Sequence, residues 1–207
     1  MAISKPKKTL LKDLFFWCIM GIRLMEIRRF EEKDRENCRD ICHKTATAPE
    51  YVKSKELVCL LYCDYYLDNE PDNCFVLADE DDNTIGYILC GVDQWAFDKG
   101  MKPYLKKVRK LSFGQWFGHM VANFAEKGLA KKYPSHLHID ILPEGQRQGY
   151  GTQLIKALED HLRAVGSNGV RLGVGGSNTG AHAFYEANGY TLLKDYKSKG
   201  RVYGKLL

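Results

Sequence analysis

The stretch "HLHIDILPEGQRQGYGTQLIKALEDHLRAVGSNGVRLGVG", residues 136–175, leaves this chain few ways to fold. Its first run, 136–142, reads as a strand that stops at Pro143. Period two puts His136, His138 and Asp140 on one face of that strand, and Leu137, Ile139 and Ile141 on the other. After a turn with two glycines, Gly149–Val165 reads as a helix with Leu154, Leu158, Leu162 and Val165 on one stripe. "GVRLGVG" (169–175) is the next strand. Asn178 then caps a short helix in "TGAHAFYEANG", which Gly189 ends. "YTLLKDYKS" and "GRVYGKLL" close the chain as a hairpin.

Upstream, "MEIRRF" (25–30) alternates like a strand, and Asp34 opens a helix to about Thr45. A second helix is expected over about Val52–Leu67, followed by β-rich runs 74–79 and 84–92 joined through Asp81-Asp82-Asn83. Residues 94–130 are aromatic-rich and expected to be helical, with breaks near Gly100–Pro103 and Gly114. Two antiparallel strands followed by strand–helix–strand–helix–strand order imply an α/β fold. Its expected centre is a mixed, mostly antiparallel sheet of about seven strands, with helices on both faces.

With 207 residues, 44% of them hydrophobic, the chain can fill one core. The net charge of +5 is unevenly placed: residues 1–24 carry +4 and the other 183 only +1. That balance argues against a nucleic-acid-binding body. The apolar core of the first segment, Leu14–Ile22, is shorter than the roughly 20 residues a membrane span needs. "MEIRRFEEKDRENCRDIC" reads like a domain start, so residues 1–24 are expected to be a dispensable extension and 25–207 the domain. A membrane-surface anchor is the alternative for the extension. Seven cysteines without a CxxC pair point to reduced, buried thiols in a cytoplasmic protein, with no metal site.

The turn "QRQGYGT" (146–152) has its own chemistry. A helix N-terminus offers unsatisfied N–H groups and partial positive charge. Gly149 and Gly151 leave the backbone bare, Arg147 adds charge and Thr152 a hydroxyl. A phosphate or pyrophosphate is the expected guest. Tyr150 stands where a P-loop needs lysine, and Leu154 where a dinucleotide fold needs a third glycine. By itself the turn is equally compatible with a plain strand-to-helix connection.

"QRQGYG" fits [QR]-x-x-G-x-[GA] at Gln146, Gly149 and Gly151, and "NTGAHAFYEANGY" (178–190) begins 27 residues after Gly151. This pair resembles the two signature segments of the GNAT superfamily of acyl-CoA-dependent N-acyltransferases. The second segment matches at Asn178, Ala181, Phe184, Tyr185, Gly189 and Tyr190. Within the family, "HLHIDILPE" looks most like the acetyltransferase-like domain of O-GlcNAcases and their bacterial relatives.

The resemblance implies acetyl-CoA as co-substrate, no metal, and transfer of acetyl to a primary amine by direct attack in a ternary complex. Gln146, Arg147, Gln148, Gly149, Tyr150, Gly151 and Thr152 would bind the pyrophosphate of coenzyme A. Ile141 and Leu142 would end a strand that splays from "RLGVGG", with the pantetheine arm in the gap. A backbone N–H near Leu142 would stabilise the oxyanion. Asn178 would hold the groove or the arm. Tyr185 matches the family's frequent general acid, against the plainer alternative of a core aromatic.

On the polar strand face, Asp140 or His138 is the candidate base, directly or through water; a hydrogen-bonded polar patch is the alternative. Glu50, Tyr51 and Glu70 fall near segments that often shape acceptor pockets in the superfamily. The expected partners are a small-molecule or peptide amine acceptor and a second copy in a possible homodimer. No nucleic acid and no integral membrane span are expected. A non-catalytic acyl-CoA-binding module is the rival function.

Overall fold

The computed structural model describes residues 25–207 apart from the Glu50 side chain; the extension expected at residues 1–24 lies outside the described residues. The strands are β1 (Glu26–Arg29), β2 (Phe75–Ala78), β3 (Thr84–Gly91), β4 (Ser135–Ile141), β5 (Gly169–Val174), β6 (Thr191–Asp195) and β7 (Arg201–Leu206). They form one seven-stranded sheet in the order β1-β2-β3-β4-β5-β7-β6. Only β4 and β5 run parallel; the other neighbours are antiparallel. This is the mixed, mostly antiparallel sheet implied by the sequence.

Between β1 and β2 lie helices α1 (Arg35–Thr45), α2 (Pro49–Val52), α3 (Lys55–Tyr62) and α4 (Asp64–Asn69). The single helix expected over 52–67 is therefore divided. Ser54 Oγ accepts from the Leu57 N–H at 3.2 Å and starts α3 as its N-cap, while Cys63 leaves helical geometry at φ −133° and ψ −60°. Between β3 and β4 stand α5 (Gln94–Gly100), α6 (Lys102–Leu111) and α7 (Phe113–Glu126). The second break falls at Ser112 rather than Gly114, because the Ser112 hydroxyl caps α7.

Helices α8 (Tyr150–Ala164) and α9 (Thr179–Ala187) cover the opposite face of the sheet. Leu154, Leu158 and Leu162 of α8 are fully buried against β-strand residues including Leu77, Ile88, Leu137, Val170 and Leu172. Each such side chain stabilises the fold by roughly 1.5–3 kcal/mol. Val165 does not share this stripe: it is the exposed C-cap residue, half out in solvent. A second core packs α1, α3 and α4 on Val76, Tyr87 and Leu89. Cys38, Cys42, Cys59, Cys63, Cys74 and Cys90 are buried and unpaired.

Arg28 ties β1 to this second core. Its guanidinium donates to both Asp34 carboxylate oxygens at 2.7 and 2.8 Å, and Asp34 also accepts from Thr84 Oγ1 and the Glu31 N–H. Among the described residues, no helix is long and apolar enough to cross a membrane.

Candidate active site

The site begins where the sheet opens. β4 and β5 pair only at Ser135–Val170 and His136–Arg171. Beyond that, β4 stays with β3 as far as Ile141, and β5 stays with β7 as far as Val174. The Leu142 N–H donates to the Ile85 carbonyl at 2.9 Å, so it belongs to the β3 side. Strand alternation then turns the N–H groups of Ile139 and Ile141 toward the gap. The Ile141 carbonyl also points away from β3, and the Gln146 side-chain amide caps it at 2.6 Å. The Leu142 N–H is committed to the sheet, so the main-chain donors near it that face the gap are those of Ile141 and Ile139.

At the end of β4 a short turn, Pro143–Gly145, leads into the exposed segment 146–149. Gln148 Nε2 donates to the Glu144 carbonyl at 2.6 Å, fastening the segment to the turn before it. Gly149 stands at φ +87°, a conformation that disfavours side chains, and directly precedes the first residue of α8, Tyr150. The free N–H groups of that first turn, with Thr152 among them, face the exposed segment. Arg147 is exposed and makes no ion pair with a described residue. Gly151 has a different reason to be glycine: a Cβ there would meet the Phe184 ring at 3.1 Å. Its bareness seats α8 against α9 rather than opening a path to solvent.

The polar row of β4 does share one face. His138 Nε2 lies 2.9 Å from Asp140 Oδ2, and the same carboxylate oxygen accepts from Tyr87 Oη at 2.6 Å. Tyr87 sits directly opposite Asp140 on β3. The His138 ring stacks on Tyr62, with centroids 5.4 Å apart. Asp140 therefore fixes one ring nitrogen and the ring plane, leaving Nδ1 as the atom able to take a proton.

Tyr185 approaches from the other face, on α9, and is 7% exposed. Burial, and secondarily the Asp140 carboxylate, push its phenol well above the ordinary tyrosine range. It keeps its proton at neutral pH. Asn178 uses its side-chain oxygen to cap α9 by accepting from the Ala181 N–H at 3.1 Å.

A cavity of about 400 Å³ opens on the His138 side of the sheet. His136, His138, Arg171 and Gly173 line it from β4 and β5, Tyr51 and Tyr62 from one flank, and α7 roofs it with Gln115, His119, Asn123 and Glu126. Tyr51 thus reaches the cavity and Glu70 does not. Arg171, Tyr87, Tyr62 and His119 are site residues that the sequence reading missed. A signal for Arg171 existed: in "GVRLGV" it is the one charge in the strand, between Gly169 and Gly173 on the face opposite the apolar row.

A gap between two parallel strands, a glycine turn at a helix N-terminus and a polar cavity thus lie together at one end of the sheet. The family described as Acetyltransferase (GNAT) family matches residues 35–190, and the chain belongs to it; it is an acyltransferase. Among solved structures, SsHAT shares the fold at a TM-score of 0.74 and 24% identity, over 88% of this chain and 98% of that one. The phosphinothricin acetyltransferase Pat of Sinorhizobium meliloti, in complex with AcCoA, matches at 0.57 and 15%, over 88% of each chain. The polyamine N-acetyltransferase of Drosophila melanogaster, which forms N-acetylagmatine, matches at 0.60 and 15%, over 89% of this chain and all of that one.

Proposed function

We propose that the protein is an N-acetyltransferase that moves acetyl from acetyl-CoA to a primary amine by direct attack in a ternary complex. The observation that carries this reading is the β4–β5 gap. It joins the α8 turn on one side to the His138–Asp140 pair and the cavity on the other. The AcCoA complex of the Sinorhizobium protein and the N-acetylagmatine formed by the Drosophila enzyme support the co-substrate and the amine acceptor.

When bound, acetyl-CoA supplies an activated acetyl thioester. Gly149 and the first turn of α8 offer N–H donors and helix-dipole charge to its pyrophosphate, with Arg147, Gln148, Gln146, Tyr150 and Thr152 around them. Ile141 and Ile139 offer main-chain N–H groups to the pantetheine arm and to the thioester carbonyl, whose oxygen gains negative charge as the amine attacks. His138 accepts the proton that the ammonium must lose, directly or through water, and Asp140 is its positioning residue. Tyr185 donates its proton to the departing thiolate as the carbon–sulfur bond breaks and the carbon–nitrogen bond forms. Asn178 holds the start of α9 and so the placement of Tyr185.

We assign the activity to residues 25–207, with residues 1–24 dispensable. The six thiols among the described residues, all buried and unpaired, support a reducing, cytoplasmic compartment. The test is acetyl-CoA turnover against a panel of primary amines. Tyr185→Phe should lower kcat by about 10²–10⁴-fold while coenzyme A binding persists. Binding of acetyl-CoA without transfer to any amine, or an unchanged kcat in Tyr185→Phe, would overturn the reading.

A further inference from the structure

A buried cation in the cavity wall has no ion-pair partner among the described residues. Arg171 is 4% exposed. It donates from Nη1 to the Tyr133 carbonyl at 2.6 Å and from Nη2 to the Gln94 side-chain oxygen. Both acceptors are neutral, and Arg171 forms no ion pair among the described residues. Gln94 is itself held by Asp98 and Asn123, so the guanidinium is fixed in place with the rest of its five N–H donors unspent. Glu126 and Asp98 act on it only from a distance, and burial outweighs them.

His136 is the direct parallel-strand partner of Arg171. Its ring is wedged against Phe97 and Tyr66, with centroids 4.3 and 5.6 Å away. The ring lines the cavity, but both nitrogens are out of solvent's reach, without a hydrogen-bond partner, and sit on the edge turned to Gly91 of β3 rather than to Arg171 of β5. Burial first, and the Arg171 charge next, push its pKa down to about 3, so the ring is neutral at pH 7 and puts no second charge beside the guanidinium.

A buried cation with neutral acceptors and no ion pair favours an anionic guest, and a carboxylate offers a guanidinium two oxygens. We propose that the acceptor amine carries a carboxylate, bound by Arg171 beside the His136 ring at the inner end of the cavity. The inference rests on the acetyltransfer reading and names its substrate class. The distance follows from the strand. His138 is two residues and Ile139 three residues from His136, so at about 3.3 Å per residue the reacting amine lies roughly 7–10 Å from the carboxylate. An α-amino acid cannot span this with its own α-amine. An ω-amine separated from the carboxylate by about four to seven methylenes can, at roughly 1.3 Å of reach per bond; free lysine and ω-amino acids belong to this class.

The experiment compares 6-aminohexanoate, its primary amide and hexylamine as acceptors for the full chain, by initial rates with acetyl-CoA and by calorimetric binding. The acid should exceed the amide in kcat/KM by at least ~10-fold, with the difference in KM. Arg171→Met should erase that preference. Glu126→Gln, which removes the nearby competing anion, should widen it and serves if Arg171→Met does not fold. Equal use of acid and amide by the wild type, or a preference that survives Arg171→Met, overturns the proposal. Acetylation of other amines without acid preference sinks this inference alone. Absence of any transfer sinks the enzymatic reading, and calorimetric preference for the acid over the amide then still decides the subsite.

Discussion

Helices α7 and α8 have nearly the same length, 14 and 15 residues, and cover opposite faces of one sheet, yet they are amphipathic in opposite senses. α8 turns Leu154, Leu158 and Leu162 inward and Lys156, Asp160 and Arg163 outward. α7 turns Gln115, His119, Asn123 and Glu126 inward over the cavity and leaves Phe113, Phe117, Val121 and Phe124 outward, the last 83% exposed. The difference follows from what lies beneath each helix. α8 rests on the apolar row of Leu137, Ile139, Val170 and Leu172, which rewards buried leucines. α7 spans a polar hollow whose floor is His136, His138 and Arg171, and its polar side chains meet that floor. Over β4 and β5, one face of the sheet carries a dry core and the other a polar cavity.

Substitutions can break or sharpen this contrast. The largest effect should come from Leu158→Ala, which empties a fully buried site and should cost about 2–5 kcal/mol in urea unfolding. A cost under about 1 kcal/mol would mean that Leu158 is not closely packed under α8. Next is Gly91→Ala. Gly91 faces His136 across the β3–β4 ladder, and an added Cβ would stand 2.6 Å from the imidazole. Overpacking there should cost about 1–3 kcal/mol and displace the ring toward the cavity; a crystal structure with His136 unmoved would refute it.

The third effect is a pH dependence. His136 binds protons far more weakly when folded, near 3, than in the unfolded chain, near ~6.5. Below that upper value the unfolded state takes up a proton that the folded state refuses, so stability falls as pH drops toward 3. The slope should be about 1.4 kcal/mol per pH unit, and His136→Gln should remove it. Parallel acid slopes for the wild type and the variant, measured by urea midpoints from pH 7 to 5, would contradict the assignment. Smallest of all, Phe124→Ser should change stability by no more than about 0.5 kcal/mol, because that ring leaves little contact behind. A loss of several kcal/mol would show that the outward face of α7 is packed in solution.

The same contrast explains what could be read from residues alone. α8 and α9 were legible because leucine spacing, Asn178 and Gly189 all agree on one answer. The polar row of β4 was legible from period two. Helix α7 was only half legible: its spacing marks a helix, but periodicity does not say which side faces inward when the interior is a cavity. Leu142 illustrates a second limit. Its position at the end of β4 could be read, but which backbone N–H groups face the gap depends on the register with β3, which no local pattern encodes. The charge at Arg171 could be read, but not that β5 places it beside His136, since that depends on the register with β4.

The opening between β4 and β5 has one more consequence. A sheet edge normally sits at the rim of a protein, where any passing strand can add to it. Here an edge has been placed in the interior, with α8 and α9 on one side and the α7 roof on the other. In the proposed function the pantetheine arm would take the place of the missing strand beside Ile139 and Ile141. Its extended shape would then be recognised by main chain before any side chain reads its charge.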